Sequence, residues 1–359
     1  MITSQAPGKL FIAGEYAVVN KGYPAILIAV DRFIKASIIK SEDVSSIKTY
    51  NLSPVIIKRV NNHIPLSTHN KSLAYVISSI NTFEKFLSEK KIDLRHYDLI
   101  IESDLESSDN VKYGLGSSAA VTVATLKVLN KFYKLSLSKR DLFKLALISQ
   151  FKINDKGSGG DLAASVYTGL IYYKSFDRGW LKTNLNNLSI SKLLEIHWPY
   201  LEIYNLKLPK DLNLIVGWTK KPASSFDLVS QVNLAKENNS DFYTEFLSKS
   251  RICVNKLRFS IEKDDSIEIL NQIKINRLLL ANLGKIFNVE IETDQLKALS
   301  DIVSNYGGSG KLSGAGGGDC GIGIFKGNYA KLKIISEWQI AGIKYLDLNV
   351  YKEQNNNDK

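Results

Sequence analysis

Three glycine-rich segments constrain this chain of 359 residues more than any other feature. The first, second and third glycine-rich segments span residues 112–121, 156–161 and 311–320. Glycine in regular structure costs about 0.5–1 kcal/mol of backbone entropy per residue, so a structural turn rarely contains several of them. A loop whose amides must approach a charged ligand does need them. Because none has the spacing of a P-loop or a dinucleotide fingerprint, they predict an anion site of another type.

The first glycine-rich segment combines a tight turn with the start of a helix. Gly114 and Gly116 allow a close backbone path, two serines follow, and residues 119–132 have the apolar spacing of a buried helix. A helix N-terminus presents free N–H groups and about half a positive charge, which favours phosphate. An ordinary loop-to-helix junction with a serine cap would give the same local pattern. The other two segments favour the phosphate interpretation.

Length and charge limit the classes of protein that fit. The chain exceeds the length of a typical single core, and its 44% hydrophobic and 23% charged residues are those of an ordinary globular protein. We place a domain boundary near residue 205, which gives domains 1–205 and 206–359. The net charge of +11 could indicate nucleic acid, anionic lipid or small acidic substrates. Because the lysines are scattered without interleaved aromatic residues, we expect no nucleic-acid partner.

Cysteine use and apolar runs bear on the compartment. Cys253 and Cys320 form neither a disulfide framework nor a Cys-x-x-Cys pair, which favours a reducing cytosol and argues against structural zinc. The apolar run 25–30 is too short to span a bilayer, and the N-terminus lacks a signal-type core. We expect a cytoplasmic protein with no membrane partner, and the choice between monomer and homodimer stays open.

Hydrophobic periodicity predicts a mixture of helices and strands. The predicted strands are 10–13, 25–30, 32–39, 97–102, 169–173, 212–218, 321–325 and 342–350. The predicted helices are 72–87, 119–132, 140–150, 162–168, 226–232, 241–261, 267–284 and 291–305. Residues 41–70 are polar and predict a hairpin or loop.

The motifs resemble those of the GHMP kinase superfamily. Their order is Pro-Gly-Lys-Leu at 7–10, Gly-Glu-Tyr-Ala-Val at 14–18, Gly-Leu-Gly-Ser-Ser-Ala at 114–119 and Ser-Gly-Ala-Gly-Gly-Gly-Asp-Cys at 313–320. The resemblance implies an α+β fold of two domains, with a ribosomal-protein-S5-like N-terminal domain and a ferredoxin-like C-terminal domain. The active site would lie in the cleft between them.

Within the superfamily, the chain resembles the bacterial phosphomevalonate kinases. The similarity lies in residues 112–118 and 216–225, and in Tyr16, where mevalonate kinases usually carry histidine. It implies transfer of the ATP γ-phosphoryl group to 5-phosphomevalonate, with Mg²⁺, in the mevalonate route to isoprenoids. The small-molecule partners would be ATP and phosphomevalonate. The alternatives are mevalonate kinase or another small-alcohol kinase of this fold, and a non-catalytic ligand sensor.

The same resemblance assigns residues to ATP. The backbone and side chains of the first glycine-rich segment would bind its phosphates. The residues expected there are Lys112, Gly114, Leu115, Gly116, Ser117, Ser118 and Ala119. A hydroxyl of Ser117 or Ser118 could ligate Mg²⁺, as a weak single ligand that leaves most positions to water and phosphate. Mevalonate kinases carry a glutamate ligand about eleven residues before the acid of the second segment, where this chain has the neutral Gln150.

Catalysis would rest on Lys9 and Asp161. The resemblance puts Lys9 at the transferred phosphoryl group and Asp161 beside the acceptor; a surface lysine and a helix-capping aspartate are the ordinary alternatives. An acceptor phosphate has a second pKa of about 6, so it is largely ionised at neutral pH. We therefore weigh Asp161 as a positioning and electrostatic partner at least as heavily as a general base.

The acceptor pocket would draw on both halves of the chain. The residues expected to line it, besides Lys9 and Asp161, are Glu15, Tyr16, Ser224, Ser225, Gly316 and Gly317, with Lys220 and Lys221 as candidates for its phosphate or carboxylate. Asp319 would close over the site or cap a loop, and Cys320 has no base beside it, which indicates a buried residue and not a nucleophile.

Overall fold

The computed structural model describes residues 1–49, 53–60, 63–65, 71–107, 111–327 and 329–353, without the side chains at positions 71, 72, 225 and 226. Helices and strands are mixed along the chain, which confirms the α+β class. Two sheets organise it. The first is built from β1 (Ile2–Ala13), β2 (Pro24–Lys40), β3 (Ser46–Thr49), β4 (Val55–Ile56), β5 (Tyr97–Ser103), β6 (Leu170–Lys174) and β7 (Glu202–Leu206).

The long strand β2 is the centre of the first sheet. It pairs antiparallel with β1 over most of its length, with β6 through its first residues and with β5 through its last. Residues 25–30 are fully buried, as expected for a strand covered on both faces. The two strands predicted at 25–30 and 32–39 are therefore one. The polar pair Asp31 and Arg32 does not end it, because the register with β1 shifts there as a bulge.

Helices cover the first sheet and fill the N-terminal half. They are α1 (Lys71–Glu89), α2 (Ser117–Phe132), α3 (Lys139–Phe151), α4 (Gly160–Tyr167), α5 (Arg178–Asn187) and α6 (Ile190–Glu195). Helix α2 lies in the middle, against β1, β2, α1, α3 and α4. Its alanines and valines are buried, and their small side chains let neighbouring backbones approach. This burial holds the N-terminus of α2 at a defined place.

The second sheet comes from the C-terminal half. Its strands are β8 (Leu212–Trp218), β9 (Ser309–Leu312), β10 (Cys320–Lys326) and β11 (Lys344–Leu346), in the antiparallel order β11-β8-β10-β9. The helices are α7 (Ser225–Ala235), α8 (Ser240–Glu262), α9 (Ser266–Phe287), α10 (Asp294–Asn305) and α11 (Lys331–Ile340). Strand, helices, two strands, helix and strand follow one another, which is the ferredoxin-like arrangement.

The end of the chain returns to the first sheet. Strand β11 is shorter than the strand predicted at 342–350, because the chain leaves the second sheet after Leu346. Val350 then bridges Val30, and the backbone N–H of Tyr351 donates to the carbonyl of Ala29 at 2.9 Å. Along the chain, the last strand of the first sheet ends at Leu206 and the first strand of the second sheet begins at Leu212. Residues 349–353 nevertheless lie on the first sheet again. The boundary at 205 stays a prediction.

Other differences from the predicted elements are local. Helices α5, α6 and α11 and strands β7 and β9 were not predicted, and β1 begins at Ile2, well before residue 10. In the polar region 41–70, β3 and β4 pair antiparallel, as a hairpin does. Residues 50–52, 61–62 and 66–70 of that region lie outside the described part.

The contact between β9 and α10 generates a stability prediction. A Cβ at Gly310 would lie 2.6 Å from Ser300 Cα and 3.0 Å from its carbonyl oxygen. Gly310→Ala should lower the free energy of unfolding by about 1–3 kcal/mol, because the helix backbone cannot move aside cheaply. Gly157→Ala is the matched control, since its Cβ would lie at ordinary contact distance from the described atoms around it, 3.6 Å from Gln150 Oε1 and 3.9 Å from the Asn154 carbonyl oxygen. Urea denaturation followed by circular dichroism measures both, and equal stability of the two variants would contradict this packing.

Candidate active site

Lys9 and Asp161 meet beside the first glycine-rich segment. The register shift between β1 and β2 lies at Pro7 and Gly8, immediately before Lys9, where a bulge can redirect a side chain. The Lys9 ammonium lies 3.8 Å from Asp161 Oδ2 and donates to the Gly114 carbonyl at 3.4 Å. The Lys9 side chain is 8% exposed and that of Asp161 36% exposed. The pair therefore joins a buried cation to a carboxylate that solvent or a ligand can reach.

Gly116 leaves room for this pair. Its φ is +80°, and a Cβ there would lie 2.8 Å from Lys9 Cε and 3.5 Å from Asp161 Oδ2. Helix α2 begins directly afterwards at Ser117, and the N–H groups of Ala119 and Ala120 close its first turn on the Gly116 carbonyl at 3.1 Å. The positive end of the helix thus points to the region of Lys9. A lysine and a helix N-terminus together favour an anion.

Each predicted residue of the first segment lies near this turn, with different exposure. Leu115 and Ala119 are buried, Ser117 and Ser118 are half-buried, and Lys112 is exposed. The Leu115 carbonyl accepts the backbone N–H of Lys9 at 2.9 Å, which fixes the turn against β1. The role of these residues with ATP stays a prediction.

The third glycine-rich segment closes on the first through Asp319. A Cβ at Gly114, where φ is +79°, would lie 2.5 Å from Asp319 Cβ. Asp319 Oδ1 accepts the N–H of Ala223 at 3.2 Å, and its carbonyl accepts the N–H of Thr219 at 2.9 Å. Burial raises the pKa of the Asp319 carboxyl, opposed by the charge of Lys9. Asp319 therefore caps the 219–223 loop, one of the two roles expected for it.

Glu15 and Tyr16 lie inside the protein, beside the third segment. The Glu15 carboxylate pairs with the ammonium of Lys311, and the Tyr16 hydroxyl donates to the Ala315 carbonyl at 2.5 Å. Burial, and then the charge of Glu15, raise the pKa of Tyr16. The structure thus gives Glu15 a protein partner that the sequence interpretation missed. Its expected place in the acceptor pocket stays a prediction.

The remaining acceptor candidates are spread over two loops. Ser224 caps α7 by accepting the N–H of Asp227 at 3.3 Å, and Lys220 and Lys221 are exposed. The side chain of Ser225 lies outside the described part. Gly316 packs against the Ile291 carbonyl and Gly317 against Leu228, so both are held by the C-terminal half. Their contact with an acceptor stays a prediction.

Two further residues complete the surroundings. Cys320 donates its thiol to the Tyr113 carbonyl at 3.0 Å, and burial raises its pKa, as fits a structural cysteine. Arg178, which the sequence interpretation missed, donates to the Gly157 carbonyl at 2.7 Å and to the carbonyl of Val19. It ties the second glycine-rich segment to the short 3-10 turn Ala17–Val19. Nothing in the spacing of Arg178 distinguished it from a surface arginine.

The described residues contain neither a metal-binding cluster nor a helix that could cross a membrane. No group of three or more His, Cys, Asp or Glu side chains there could hold a metal ion. Gln150 is half-buried and lies near Gly157. None of the described helices has both the length and the apolar character that crossing a bilayer requires.

Family models match both halves of the chain. Residues 74–169 match the model of the GHMP kinases N-terminal domain, and residues 267–344 match that of the GHMP kinases C-terminal domain. The first match contains α2 and Asp161, and the second contains Asp319.

Full-length relatives agree with these matches. The phosphomevalonate kinase of Streptomyces sp. (strain CL190) is 36% identical, over 97% of this chain and 96% of that protein. The mevalonate kinase of Pyrococcus abyssi (strain GE5 / Orsay) is 27% identical, over 98% and 96%. The structure of Streptococcus pneumoniae phosphomevalonate kinase in complex with phosphomevalonate and AMPPNP has a TM-score of 0.87 and 30% identity, covering 98% of this chain and 100% of that one.

The crowding at Gly116 generates a binding prediction. Gly116→Ala would push its Cβ onto Lys9 Cε and should weaken AMPPNP binding by about tenfold or more, equivalent to about 1.4 kcal/mol. Gly327→Ala is the matched control, because Gly327 also has a positive φ, +68°, but among the described residues no atom apart from its chain neighbours lies within 4 Å of its Cβ. Isothermal titration calorimetry compares the two variants with the wild type. Unchanged AMPPNP affinity of Gly116→Ala would show that this crowding does not matter.

Proposed function

The chain belongs to the GHMP kinases, and we propose that it is a phosphomevalonate kinase. It transfers the γ-phosphoryl group of ATP to the phosphate of 5-phosphomevalonate, giving the 5-diphosphate and ADP. The observation that carries the proposal is the Lys9–Asp161 pair beside the N-terminus of α2. The likeness to the Streptomyces and pneumococcal phosphomevalonate kinases supports the choice of acceptor.

Phosphoryl transfer depends on positioning and charge neutralisation more than on covalent chemistry. In our proposal the N-terminal amides of α2 bind the ATP phosphates, and Lys9 neutralises charge on the transferred group. Lys9 suits this task because its side chain is only 8% exposed. Charges that are shielded from water interact more strongly than charges in solution. Its fixed contact with the Gly114 carbonyl holds the ammonium beside the turn.

Asp161 acts on the acceptor. An ionised acceptor phosphate needs little deprotonation, so Asp161 orients it through Lys9 and the surrounding amides. The carboxylate is 36% exposed while its partner Lys9 is buried, so it can face a ligand in the cleft. The lysine between carboxylate and phosphate limits their repulsion. A hydroxyl acceptor, as in mevalonate kinase, would instead require Asp161 as a general base.

Mg²⁺ fits the site as the companion of ATP. The described residues contain no carboxylate cluster that would cage a metal, and Mg²⁺ usually keeps several waters and takes phosphate oxygens. A hydroxyl of Ser117 or Ser118 would be its protein ligand in this proposal. Bound Mg²⁺ would neutralise part of the phosphate charge.

The cellular setting follows from the same proposal. An enzyme of this class acts on small soluble substrates, so we propose a cytoplasmic protein, monomeric or homodimeric, that needs neither nucleic acid nor membrane. A non-catalytic sensor would not require the Lys9–Asp161 pair, which this chain retains.

Release of ADP tests the proposal. Wild-type protein with ATP and Mg²⁺ is assayed side by side with 5-phosphomevalonate, mevalonate and homoserine in a coupled assay. We expect turnover with 5-phosphomevalonate alone. Turnover with mevalonate in its place would keep the kinase assignment but overturn the acceptor, and no turnover with any of the three would favour the sensor.

Lys9 gives a mutational prediction for the same reaction. Lys9→Met should lower kcat by about 100- to 1000-fold, because one preorganised charge at the reacting group is lost. Lys144→Met is the matched control: Lys144 is buried as well, but its ammonium donates to the carbonyls of Leu194 at 2.7 Å and Ile196 at 2.6 Å. Steady-state kinetics of both variants measure the change in kcat. A wild-type kcat in Lys9→Met would remove Lys9 from the mechanism.

A further inference from the structure

A second lysine–carboxylate pair lies inside the protein. Lys311 in β9 is 0% exposed and Glu15, just after β1, is 2% exposed. The Lys311 ammonium donates to Glu15 Oε1 and, at 2.6 Å, to the Leu312 carbonyl. Glu15 Oε2 is buried and has no hydrogen-bond partner among the described residues. Lys311 is therefore the cation that compensates the buried carboxylate of Glu15.

Two hydrogen bonds flank this ion pair. The backbone N–H of Phe11 donates to Ser313 Oγ at 2.8 Å, and the Tyr16 hydroxyl donates to the Ala315 carbonyl at 2.5 Å. The three contacts join residues 296 to 302 positions apart in the chain. We call the contacts of residues 11–16 with residues 311–315 the interdomain clamp.

The interdomain clamp holds one end of the third glycine-rich segment. The other end is held by Asp319, which lies against Gly114 and caps the 219–223 loop. On its N-terminal side, the clamp begins two residues after Lys9 on the same strand, β1. A shift of the clamp would therefore move the third segment relative to Lys9.

Stability alone does not account for a lysine at this position. Burying two charges costs several kcal/mol per ion, and well-packed apolar residues of similar size are often as stable or more so. What the ion pair adds is a directional contact that fixes one register between the two halves.

We propose that Lys311 is a positioning residue that sets the acceptor side of the site through its ion pair with Glu15. It touches neither substrate, and it acts by holding the third glycine-rich segment in register with residues 11–16. The inference rests on the proposed function and adds to it a determinant of acceptor binding. ATP binding depends on the first segment and is affected less.

Kinetics with separate substrate titrations test the proposal. Lys311→Met removes the charge at nearly constant volume and leaves the Glu15 carboxylate buried without its cation. We expect the KM for 5-phosphomevalonate to rise about tenfold or more, because a buried carboxylate without its cation is strongly unfavourable and would shift residues 11–16 relative to the third glycine-rich segment. The KM for ATP should change less than about threefold, because the first glycine-rich segment, to which we assign ATP binding, is not part of the interdomain clamp.

Lys144→Met is again the control. It makes the same side-chain change at a buried lysine whose partners are carbonyls at the C-terminal end of α6, away from the clamp. It should lower the thermal midpoint without moving the KM for 5-phosphomevalonate. Both variants are assayed well below their thermal midpoints, so that loss of folded protein does not imitate loss of binding.

A second variant covers the case in which Lys311→Met does not fold. Ser313→Ala removes the bond to the Phe11 N–H without stranding a charge, and it should raise the same KM about three- to fivefold, as the loss of one hydrogen bond does. The proposal is overturned if the KM for 5-phosphomevalonate stays within twofold of wild type in a variant that folds. An equal rise in the KM for 5-phosphomevalonate and the KM for ATP also overturns it. Wild-type turnover, measured in parallel, separates this outcome from failure of the proposed function.

Discussion

The structure depends on a buried ammonium group that lies beside the positive end of a helix. Lys9 is almost excluded from solvent, and its nearest partners are the Asp161 carboxylate and the Gly114 carbonyl. A lysine in such a place needs negative charge around it, and a helix N-terminus needs the same. One half-exposed carboxylate at 3.8 Å compensates only part of this. The site is thus organised for further negative charge, which ATP and a phosphorylated acceptor would bring.

Both halves of the chain contribute residues to this site. The N-terminal half contributes the helix, the lysine and the carboxylate, and the C-terminal half contributes the third glycine-rich segment. Asp319 lies so close to Gly114 that any side chain at position 114 would displace it. The interdomain clamp and the return of residues 349–353 to the first sheet add contacts between the halves. The candidate site is therefore defined by contacts between residues that lie far apart in sequence.

Local patterns in the sequence predicted the elements that carry their own signal. The glycine turn before α2, the helix itself and the mixture of helices and strands are of this kind, whereas the α+β class came from the resemblance of the motifs to those of the GHMP kinases. The full length of β2 was missed because the polar residues Asp31 and Arg32, at a bulge, interrupt the apolar run without ending the strand. The pairing of Glu15 with Lys311 has no local signature, since either residue alone resembles an ordinary charged position. Such long-range pairs follow from the packing of the two halves, which periodicity does not encode.

The identity of the accepting oxygen is the central claim, and phosphorus-31 NMR of the reaction product tests it most directly. The wild-type protein is incubated with ATP, Mg²⁺ and 5-phosphomevalonate, and the new resonances are compared with those of ADP. The account predicts two new mutually coupled doublets, because the transferred phosphorus becomes part of a diphosphate. An uncoupled monoester resonance, from transfer to a hydroxyl group, would contradict it.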